Sequence, residues 1–182
     1  MRTIVYIGTS LDNFIARENG DIDWLMEYSS PEVFQSFDIF QQRIDCVVMG
    51  RGTFEKVLSF EPWPYQKRVF VLSKSLNQIP GSLKDKAELI ETSPKETLDY
   101  LSQKGYSTIY VDGGKVIQSF LKENLIDELI ITTAPVLIGK GIPLFGPLDF
   151  DIKFKLVKTN AFSNGLVMNC YERIQRTMKN PA

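Results

Sequence analysis

The sequence has 182 residues, of which 43% are hydrophobic and 12% aromatic, and it carries a formal net charge of −1. This length and composition suit one domain with a sizeable core. The scattered, nearly balanced charge argues against nucleic acid or a membrane surface as the main partner. The sequence contains no histidine. This excludes His-based triads, His metal sites and His acid–base chemistry, and we expect no metal centre.

Two features bear on the cellular compartment. Cys46 and Cys170 lie in apolar, strand-like runs, which favours free buried thiols in a reducing compartment over a disulfide. The N-terminus lacks a basic segment followed by a long apolar run, so we expect no signal peptide. No apolar run approaches the ~20 residues that a transmembrane helix needs. We therefore expect a cytoplasmic protein.

The first predicted strand covers residues 3–8 and leads into a turn-rich segment, 10–25, that keeps large apolar residues. Two interpretations of that segment stay open: a loop that packs on its own core, or a lid over a ligand. Ser30 and Pro31 then predict a helix start. A stripe at helical spacing predicts that this helix faces the core; it consists of Val33, Phe34, Phe37, Phe40 and Ile44.

The next two predicted strands each end in residues suited to phosphate. Residues 45–49 form a buried-looking strand, and the glycine-rich segment 50–53 joins it to a short helix. Arg51 in that segment adds a fixed positive charge. Residues 68–72 form the third strand, which is followed by the tripeptide 73–75. Its hydroxyls and lysine suit a monophosphate, although a plain polar surface turn is the commoner meaning of such a tripeptide.

The middle of the chain contains another junction of the same kind. After a short strand at 87–90, Ser93 and its neighbours form a capping box that starts a helix ending near Gly105. Strand 108–112 then runs into two glycines and a helix over 114–123. A strand that turns at once into a helix directs backbone N–H groups and a positive helix end to one point, which is a place to hold a phosphate.

The last third of the chain predicts how the sheet ends. Residues 127–134 form a strand, and a loop punctuated by glycine and proline follows at 135–145. Two final strands, 153–159 and 165–173, are joined by a short turn and predict an antiparallel hairpin. We predict a single α/β domain over residues 1–174 and a polar C-terminal tail over 175–182.

Alternating strands and helices predict a mostly parallel sheet covered on both faces. In such sheets, ligands bind beyond the carboxyl ends of the strands. The polar and glycine-rich features that follow strands one, two, three and five all belong to that edge. Their shared position indicates one nucleotide site, whereas each feature alone would be weak evidence.

With these residues in order, the chain resembles the dihydrofolate reductase fold. It is most similar to the reductase domain of the bifunctional riboflavin-biosynthesis deaminase-reductases and their stand-alone relatives. The matching stretches span about residues 3–173, in an order more specific than any one of them. They are 10–16, 20–24, 48–55, 71–73, 111–114, 125–129 and 135–145.

The resemblance implies a three-layer α/β/α domain, a sheet of about eight strands whose last strand is antiparallel, and NADPH as hydride donor. It also implies where the cofactor lies. The pyrophosphate would meet two junctions, the 2′-phosphate would meet the end of the third strand, and the nicotinamide would lie on the 10–25 segment. The residues implied for the pyrophosphate are Gly113, Gly114, Lys115 and Val116 with Gly50, Arg51, Gly52 and Thr53. Those implied for the 2′-phosphate are Ser73 and Lys74, and Leu72 before them is also on the cofactor side. Those implied for the nicotinamide are Ile15 and Ala16.

The resemblance also implies a substrate side, lined by Ile7, Gly8, Trp24 and Thr132. Gly139 belongs to the loop that resembles the segment closing over the substrate in the riboflavin-type enzymes. No residue is assigned to catalysis, and the candidates are Glu32, Asp12 and Thr132. The folate enzymes have a carboxylate on the first helix after the lid, but Glu27 and Glu32 lie nearby outside any matching motif. A deaminase half is excluded because its zinc motif needs histidine.

Three functions remain open at this stage. The first is an NADPH-dependent reductase of a pterin, folate or aminopyrimidine, for which the lack of histidine is no obstacle because hydride transfer needs no nucleophile. The second is a binding protein of the same fold without turnover. The third is a different α/β fold that binds a phosphorylated sugar. We also expect a homodimer, because related domains pair through sheet or hairpin surfaces.

Overall fold

The predicted strands and helices are present in the computed structural model, which describes residues 1–174. The predicted tail, 175–182, lies outside the described residues. In chain order the elements are β1 (Arg2–Thr9), β2 (Phe14–Ala16), α1 (Asp23–Met26), α2 (Pro31–Gln41), β3 (Cys46–Gly50), α3 (Arg51–Val57), β4 (Arg68–Leu72), a 3₁₀ turn (Gly81–Leu83), β5 (Ala87–Ile90), α4 (Pro94–Gln103), β6 (Thr108–Asp112), α5 (Gly114–Lys122), β7 (Glu128–Thr133), β8 (Ile142–Pro143), β9 (Phe154–Ala161) and β10 (Val167–Arg173).

Eight strands form one sheet in the order β5-β4-β3-β6-β1-β7-β10-β9. The six strands from β5 to β7 run parallel, and β10 pairs antiparallel with both β7 and β9. The prediction of a mostly parallel sheet with a C-terminal antiparallel hairpin is therefore confirmed. The strands β3, β4, β6 and β1 direct their carboxyl ends to the same edge.

Two hydrophobic cores cover the two faces of the sheet. On one face, α4 and α5 pack through Leu101, Ile117 and Phe120. On the other face, α2 and α3 pack through Phe40 and Phe54. This is the three-layer arrangement that alternating strands and helices predict.

The predicted helix starts are confirmed by their caps. The Ser30 hydroxyl accepts the backbone N–H of Val33 at the start of α2, with Pro31 in the first turn. At the start of α4, Ser93 and Glu96 form the reciprocal capping box. Each cap satisfies backbone donors that a helix start otherwise leaves without partners.

The prediction that Phe34 lies in the core is wrong. Phe34 is 54% exposed, although the apolar stripe of α2 placed it in the core. Only the last turn of the helix is fully buried, at Phe40 and Gln41. The first two turns of α2 are therefore less buried: Val33 and Phe37 are partly covered, and Phe34 is accessible.

The two segments predicted as loops, 10–25 and 135–145, pair with each other. The short strands β2 and β8 form a second, two-stranded antiparallel sheet, with Ala16 opposite Ile142. Each strand is only two or three residues long, so it leaves no alternation in the sequence to predict it from. Among the helices within residues 1–174, none is long and apolar enough to cross a membrane.

Candidate functional site

The junction between β6 and α5 has the geometry of an anion site. Gly113 has a φ of +86°, a left-handed conformation that favours glycine. It precedes α5 as the N-cap residue and provides no side-chain cap. The first backbone N–H groups of α5 therefore point toward the sheet edge with the positive end of the helix.

The junction between β3 and α3 lies directly against the first one. A Cβ atom built on Gly113 would collide with the Thr53 hydroxyl, and one built on Gly50 would lie 3.1 Å from Val116 Cγ2. The reason is topological, since β3 and β6 are hydrogen-bonded neighbours. The two predicted phosphate segments, which are more than 60 residues apart in sequence, are thus one structural feature.

Segment 10–25, for which a lid was one of two interpretations, reaches the same point. A Cβ atom built on Gly114 would lie 3.1 Å from Ile15 Cδ1 and 3.1 Å from the Pro143 carbonyl oxygen. Ala16 is buried and paired with β8. The structure therefore places Ile15 and Ala16, the residues predicted for the nicotinamide, beside the start of α5.

Three residues at this junction are open to solvent. Arg51 has a half-exposed side chain whose Nε lies 3.7 Å from Glu55 Oε1. Lys115 is exposed in the first turn of α5. Gly52 is exposed, and a Cβ atom built on it would meet nothing within 4 Å. The rim of the junction is therefore basic, and it has room for a group that approaches the backbone of α3.

The end of β4 lies one strand further along the sheet. Leu72 pairs with Gly50, which puts the following residues next to the β3–α3 junction. The Ser73 hydroxyl oxygen accepts the backbone N–H groups of Ser75 at 3.1 Å and Leu76 at 3.0 Å. Lys74 is exposed. The turn thus fixes Ser73, while its own hydroxyl proton donates to no group within residues 1–174.

The predicted substrate residues divide between the two faces of the sheet. Gly8 pairs with Thr132, and Thr132 pairs with Met168 on the face covered by α2. A Cβ atom on Gly8 would lie 2.6 Å from Leu25 Cδ2, so α1 closes over this row. The side chain of Ile7 instead packs into the core under α4 and α5.

Trp24 and Gly139 differ in burial. Trp24 is 3% exposed, and its Nε1 has no hydrogen-bond partner within the described residues. Its ring packs with Ala134, Phe162 and Leu166. Gly139 has a φ of +74° and lies in the exposed loop after β7.

The three catalytic candidates differ in their surroundings. Asp12 accepts the Ser10 hydroxyl at 2.6 Å and the backbone N–H groups of Gly139 at 2.8 Å and Ile138 at 3.3 Å. These bonds, the Ser10 bond first, lower the pKa of Asp12, and its carboxylate joins the two loops. Glu32 is exposed in the first turn of α2, and Thr132 is buried in the sheet.

A further acid at this edge was assigned no role from the sequence. Asp112 is the last residue of β6, is 6% exposed and accepts the Tyr65 hydroxyl at 2.6 Å. Its burial raises the pKa of the carboxyl group above the usual value for aspartate. The sequence did contain a signal for this residue: an acidic side chain ends an otherwise apolar strand and directly precedes two glycines.

Two other observations concern the rest of the molecule. Within residues 1–174, no group of three or more acidic, cysteine or histidine side chains is placed to hold a metal ion. A groove of about 310 Å³ lies on the opposite face of β7 from Thr132, lined by Leu129, Ile131, Phe154 and Tyr171 among others. It lies on the face of the sheet that α4 and α5 cover.

Comparisons with known proteins agree with this architecture. The model of the RibD C-terminal domain family matches residues 3–168. The uncharacterized protein YwjB of Bacillus subtilis (strain 168) is 37% identical over 172 residues, which cover 92% of this chain and 96% of YwjB. A Shewanella sp. PV-4 protein, provisionally named a riboflavin biosynthesis protein, is 42% identical with a TM-score of 0.91; the match covers 96% of this chain and 100% of that one.

More distant structures share the fold. A Thermotoga maritima deaminase and 5-amino-6-(5-phosphoribosylamino)uracil reductase has 17% identity and a TM-score of 0.73, and the match covers 95% of this chain and 56% of that protein. Dihydrofolate reductase from Enterococcus faecalis, complexed with NADP(H), has 16% identity and a TM-score of 0.67 over 96% of this chain and 97% of that one. The fold is therefore dihydrofolate reductase-like.

Proposed function

The chain belongs to the RibD C-terminal domain family, and from this premise we propose that it is a reductase that uses NADPH. Its substrate is a small flat heterocycle of the pterin, folate or aminopyrimidine type. The observation that carries the proposal is the meeting of two glycine-rich junctions, where Gly113 abuts Thr53 and Gly50 abuts Val116. The distant relatives support it, since one is named a reductase and another is complexed with NADP(H).

The residues at the junction fit a dinucleotide. Side chains on Gly113 or Gly114 would collide with Thr53, Ile15 or the Pro143 carbonyl oxygen, so glycine lets these segments meet at the first turn of α5. The free backbone N–H groups of that turn would bind the pyrophosphate. Arg51 and Lys115 add positive charge at the rim. Ser73 and Lys74 would meet a 2′-phosphate, with the Ser73 hydroxyl donating and the Lys74 ammonium pairing, which favours NADPH over NADH.

The remaining predicted residues would orient the reacting rings. NADPH, when bound, supplies the hydride. Ile15 and Ala16 would pack against the nicotinamide ring, and the pairing of β2 with β8 would exclude water from that side. Leu25 of α1 covers Gly8, so a flat ring would bind at the edge of this row, where Thr132 and Trp24 would add a hydroxyl and an indole N–H.

Asp112 is the acid that we place in the reaction. Its carboxyl group lies on the α2 face at the end of β6, next to the β6–α5 junction, and burial raises its pKa, so it keeps a proton to higher pH than an exposed aspartate does. Tyr65 holds it in position. Asp112 would donate a hydrogen bond or a proton to the heterocycle, the role that Glu27 and Glu32 do not fill because both are exposed.

The experiment that tests the proposal is NADPH binding followed by NADPH oxidation against a panel of dihydropteridines, dihydrofolate and aminopyrimidines. We expect binding and turnover of at least one class. In Asp112→Asn, turnover should fall by about 10²-fold, the lower end of what a general acid contributes, with NADPH affinity preserved. Asp99→Asn is the matched control, because Asp99 is an exposed residue of α4. A folded protein that does not bind NADPH would contradict the proposal.

A second function has one observation in its favour. Neither of the two acids predicted as catalytic candidates is buried: Asp12 joins two loops and Glu32 is exposed. These positions of Asp12 and Glu32 are what we would expect of a protein that binds the same ligands without turnover and in which Asp112 has only a structural role. NADPH binding without oxidation on any member of the panel would support that function over the reductase.

A further inference from the structure

Two acidic side chains of the sheet are almost fully buried, and their surroundings differ. Glu128 is 5% exposed and pairs with Arg2 at 2.8 Å and with Arg43 at 3.0 Å. Asp112 is 6% exposed and accepts the Tyr65 hydroxyl at 2.6 Å, but within residues 1–174 it has no ion-pair partner. A buried carboxylate without a cation is unfavourable, because neither water nor an opposite charge stabilises it. Of the two buried acids, Asp112 is therefore the one whose charge is more easily removed.

The titratable groups closest to Asp112 are tyrosines. Tyr65 comes from the segment after α3, and Tyr110 lies two residues earlier on β6, where its hydroxyl donates to the Tyr6 carbonyl at 2.8 Å. Burial raises the pKa of both Tyr65 and Tyr110 well above the usual value, so these two hydroxyls stay neutral. Met49, the neighbour of Asp112 on β3, is uncharged. Asp112 is therefore the group of this buried cluster that changes its charge.

The charged side chains on the surrounding helices are directed to the surface. Lys56 of α3 is the only partly buried one among them, and it donates to Asp21 at 2.6 Å. The others are exposed: Glu32 and Asp38 on α2, Arg51 and Glu55 on α3, and Lys115 at the start of α5. None of these groups forms an ion pair with Asp112.

Asp112 also adjoins the place proposed for the pyrophosphate. It directly precedes Gly113, the N-cap residue of α5. Burial raises the pKa of Asp112, although the Tyr65 hydroxyl and the Gly113 N–H favour its ionised form. A pyrophosphate at the start of α5 would lie about 4–8 Å away, one or two residues along the chain. It would add negative charge there and offset the positive helix end, and both effects disfavour a second anion.

We propose that binding of NADPH at the junction of α3 and α5 adds a proton to Asp112; this inference rests on the proposed function. The proton comes from solvent and forms an O–H bond on the carboxylate oxygen Oδ1, because Oδ2 already accepts the Tyr65 hydroxyl. The hydride and the proton that the reduction needs are then both in place before the substrate binds. The phosphate site thus has a second role, because it controls the protonation of the acid beside it.

Calorimetric titration with NADPH in two buffers of different ionisation enthalpy counts the protons that binding takes up. The range is about pH 6 to 8, where buried carboxyl groups with a raised pKa titrate. The 2′-phosphate of NADPH also titrates, at about pH 6, so the wild type is compared with Asp112→Asn, which lacks only the contribution of Asp112. At its maximum, uptake by the wild type should exceed uptake by the variant by about half a proton.

The pH dependence of NADPH affinity gives the same quantity independently. From low to high pH, the affinity of the wild type should fall about threefold more per pH unit than that of Asp112→Asn, the slope that half a proton gives. The variant is uncharged at this position, so at high pH it should keep the affinity that the wild type reaches only at low pH. Asp99→Asn, which removes an exposed carboxylate of α4, should behave as the wild type does.

Tyr65→Phe provides a second arm, which also serves if Asp112→Asn does not fold. It removes the hydroxyl that favours the ionised carboxylate, so the pH of maximal proton uptake should move upward. Equal proton uptake by the wild type and Asp112→Asn, or an uptake maximum that Tyr65→Phe leaves in place, would overturn the inference. Failure of the folded wild-type protein to bind NADPH would instead overturn the proposed function.

Discussion

Gly113 and Gly52 are glycines for different reasons. Gly113 has a positive φ, and Thr53 occupies the space of its side chain, so the fold itself requires glycine there. Gly52 lies in α3 with open space around it. A helix gains nothing from glycine at such a position. A close approach of the pyrophosphate to this backbone would explain the residue, and it gives a test that does not depend on the stability of the fold.

Gly52→Ala should leave the free energy of unfolding unchanged or raise it by up to about 1 kcal/mol. It should weaken NADPH binding by at least about tenfold, the loss of one hydrogen bond to a charged group. Calorimetric titration and thermal unfolding measure the two effects. The matched control is Gly81→Ala. A Cβ atom on Gly81 also meets nothing within 4 Å, but Gly81 lies in the 3₁₀ turn and outside both junctions. Equal NADPH affinity in both variants and the wild type would remove Gly52 from the site.

Lys74 tests the choice between the two nicotinamide cofactors. Lys74→Ala should weaken NADPH binding by about fivefold, as expected for an exposed ion pair with a phosphate, and leave NADH binding unchanged. Lys122→Ala, at the other end of α5, is the control for loss of one positive charge. If both cofactors lose affinity equally, Lys74 does not meet the 2′-phosphate.

At the scale of elements, a set of polar contacts that the sequence did not reveal joins segment 10–25 to the loop after β7, and we call these contacts the latch. Asp12 bonds to the Gly139 and Ile138 amides, and the Leu11 and Leu144 amides bond to the Val136 and Asn13 carbonyls. All of these contacts join two segments that are more than 120 residues apart. Their residue types are ordinary for loops, so only the folded chain shows that they belong together.

Asp12→Asn should loosen this latch. The variant loses the charge that holds two backbone N–H groups, so amide hydrogen exchange at Ile138 and Gly139 should become severalfold faster and the KM for NADPH should rise. Because the pKa of Asp12 is lowered in the folded protein, the latch is present above the usual aspartate pKa and is lost as the pH falls through the lowered value. Unchanged exchange in the variant would show that Asp12 does not hold the loop.

At the scale of the whole molecule, the sequence predicted what depends on periodicity and caps. Strand and helix order, the antiparallel hairpin and the shared edge of the residues predicted for phosphate all follow from apolar patterns and from the rules of parallel sheets. The exposure of Phe34 did not follow, because a helical stripe does not show how closely each turn contacts the sheet. The burial of Asp112 did not follow either, because its hydrogen-bond partner is Tyr65, 47 residues earlier in the chain.

Homodimer formation stays a prediction. The structure indicates where to look, since β9 is an edge strand of the sheet with Leu156 and Val157 exposed, and exposed apolar edge strands tend to pair. Sedimentation analysis of the wild type and of Leu156→Lys measures it. We expect a dimer whose dissociation constant rises in the variant, and a monomeric wild-type protein would contradict the prediction.

The central claim is that a dinucleotide phosphate lies where α3 and α5 begin. Its most direct test is the backbone amide NMR spectrum of the protein during a titration with NADPH. The amides of Gly50, Gly52, Gly113 and Gly114 should shift together in a saturable manner, while those of Gly81 and Gly105 stay in place. Saturable NADPH binding that leaves the four junction glycines unshifted, or no binding to the folded protein, would contradict the claim.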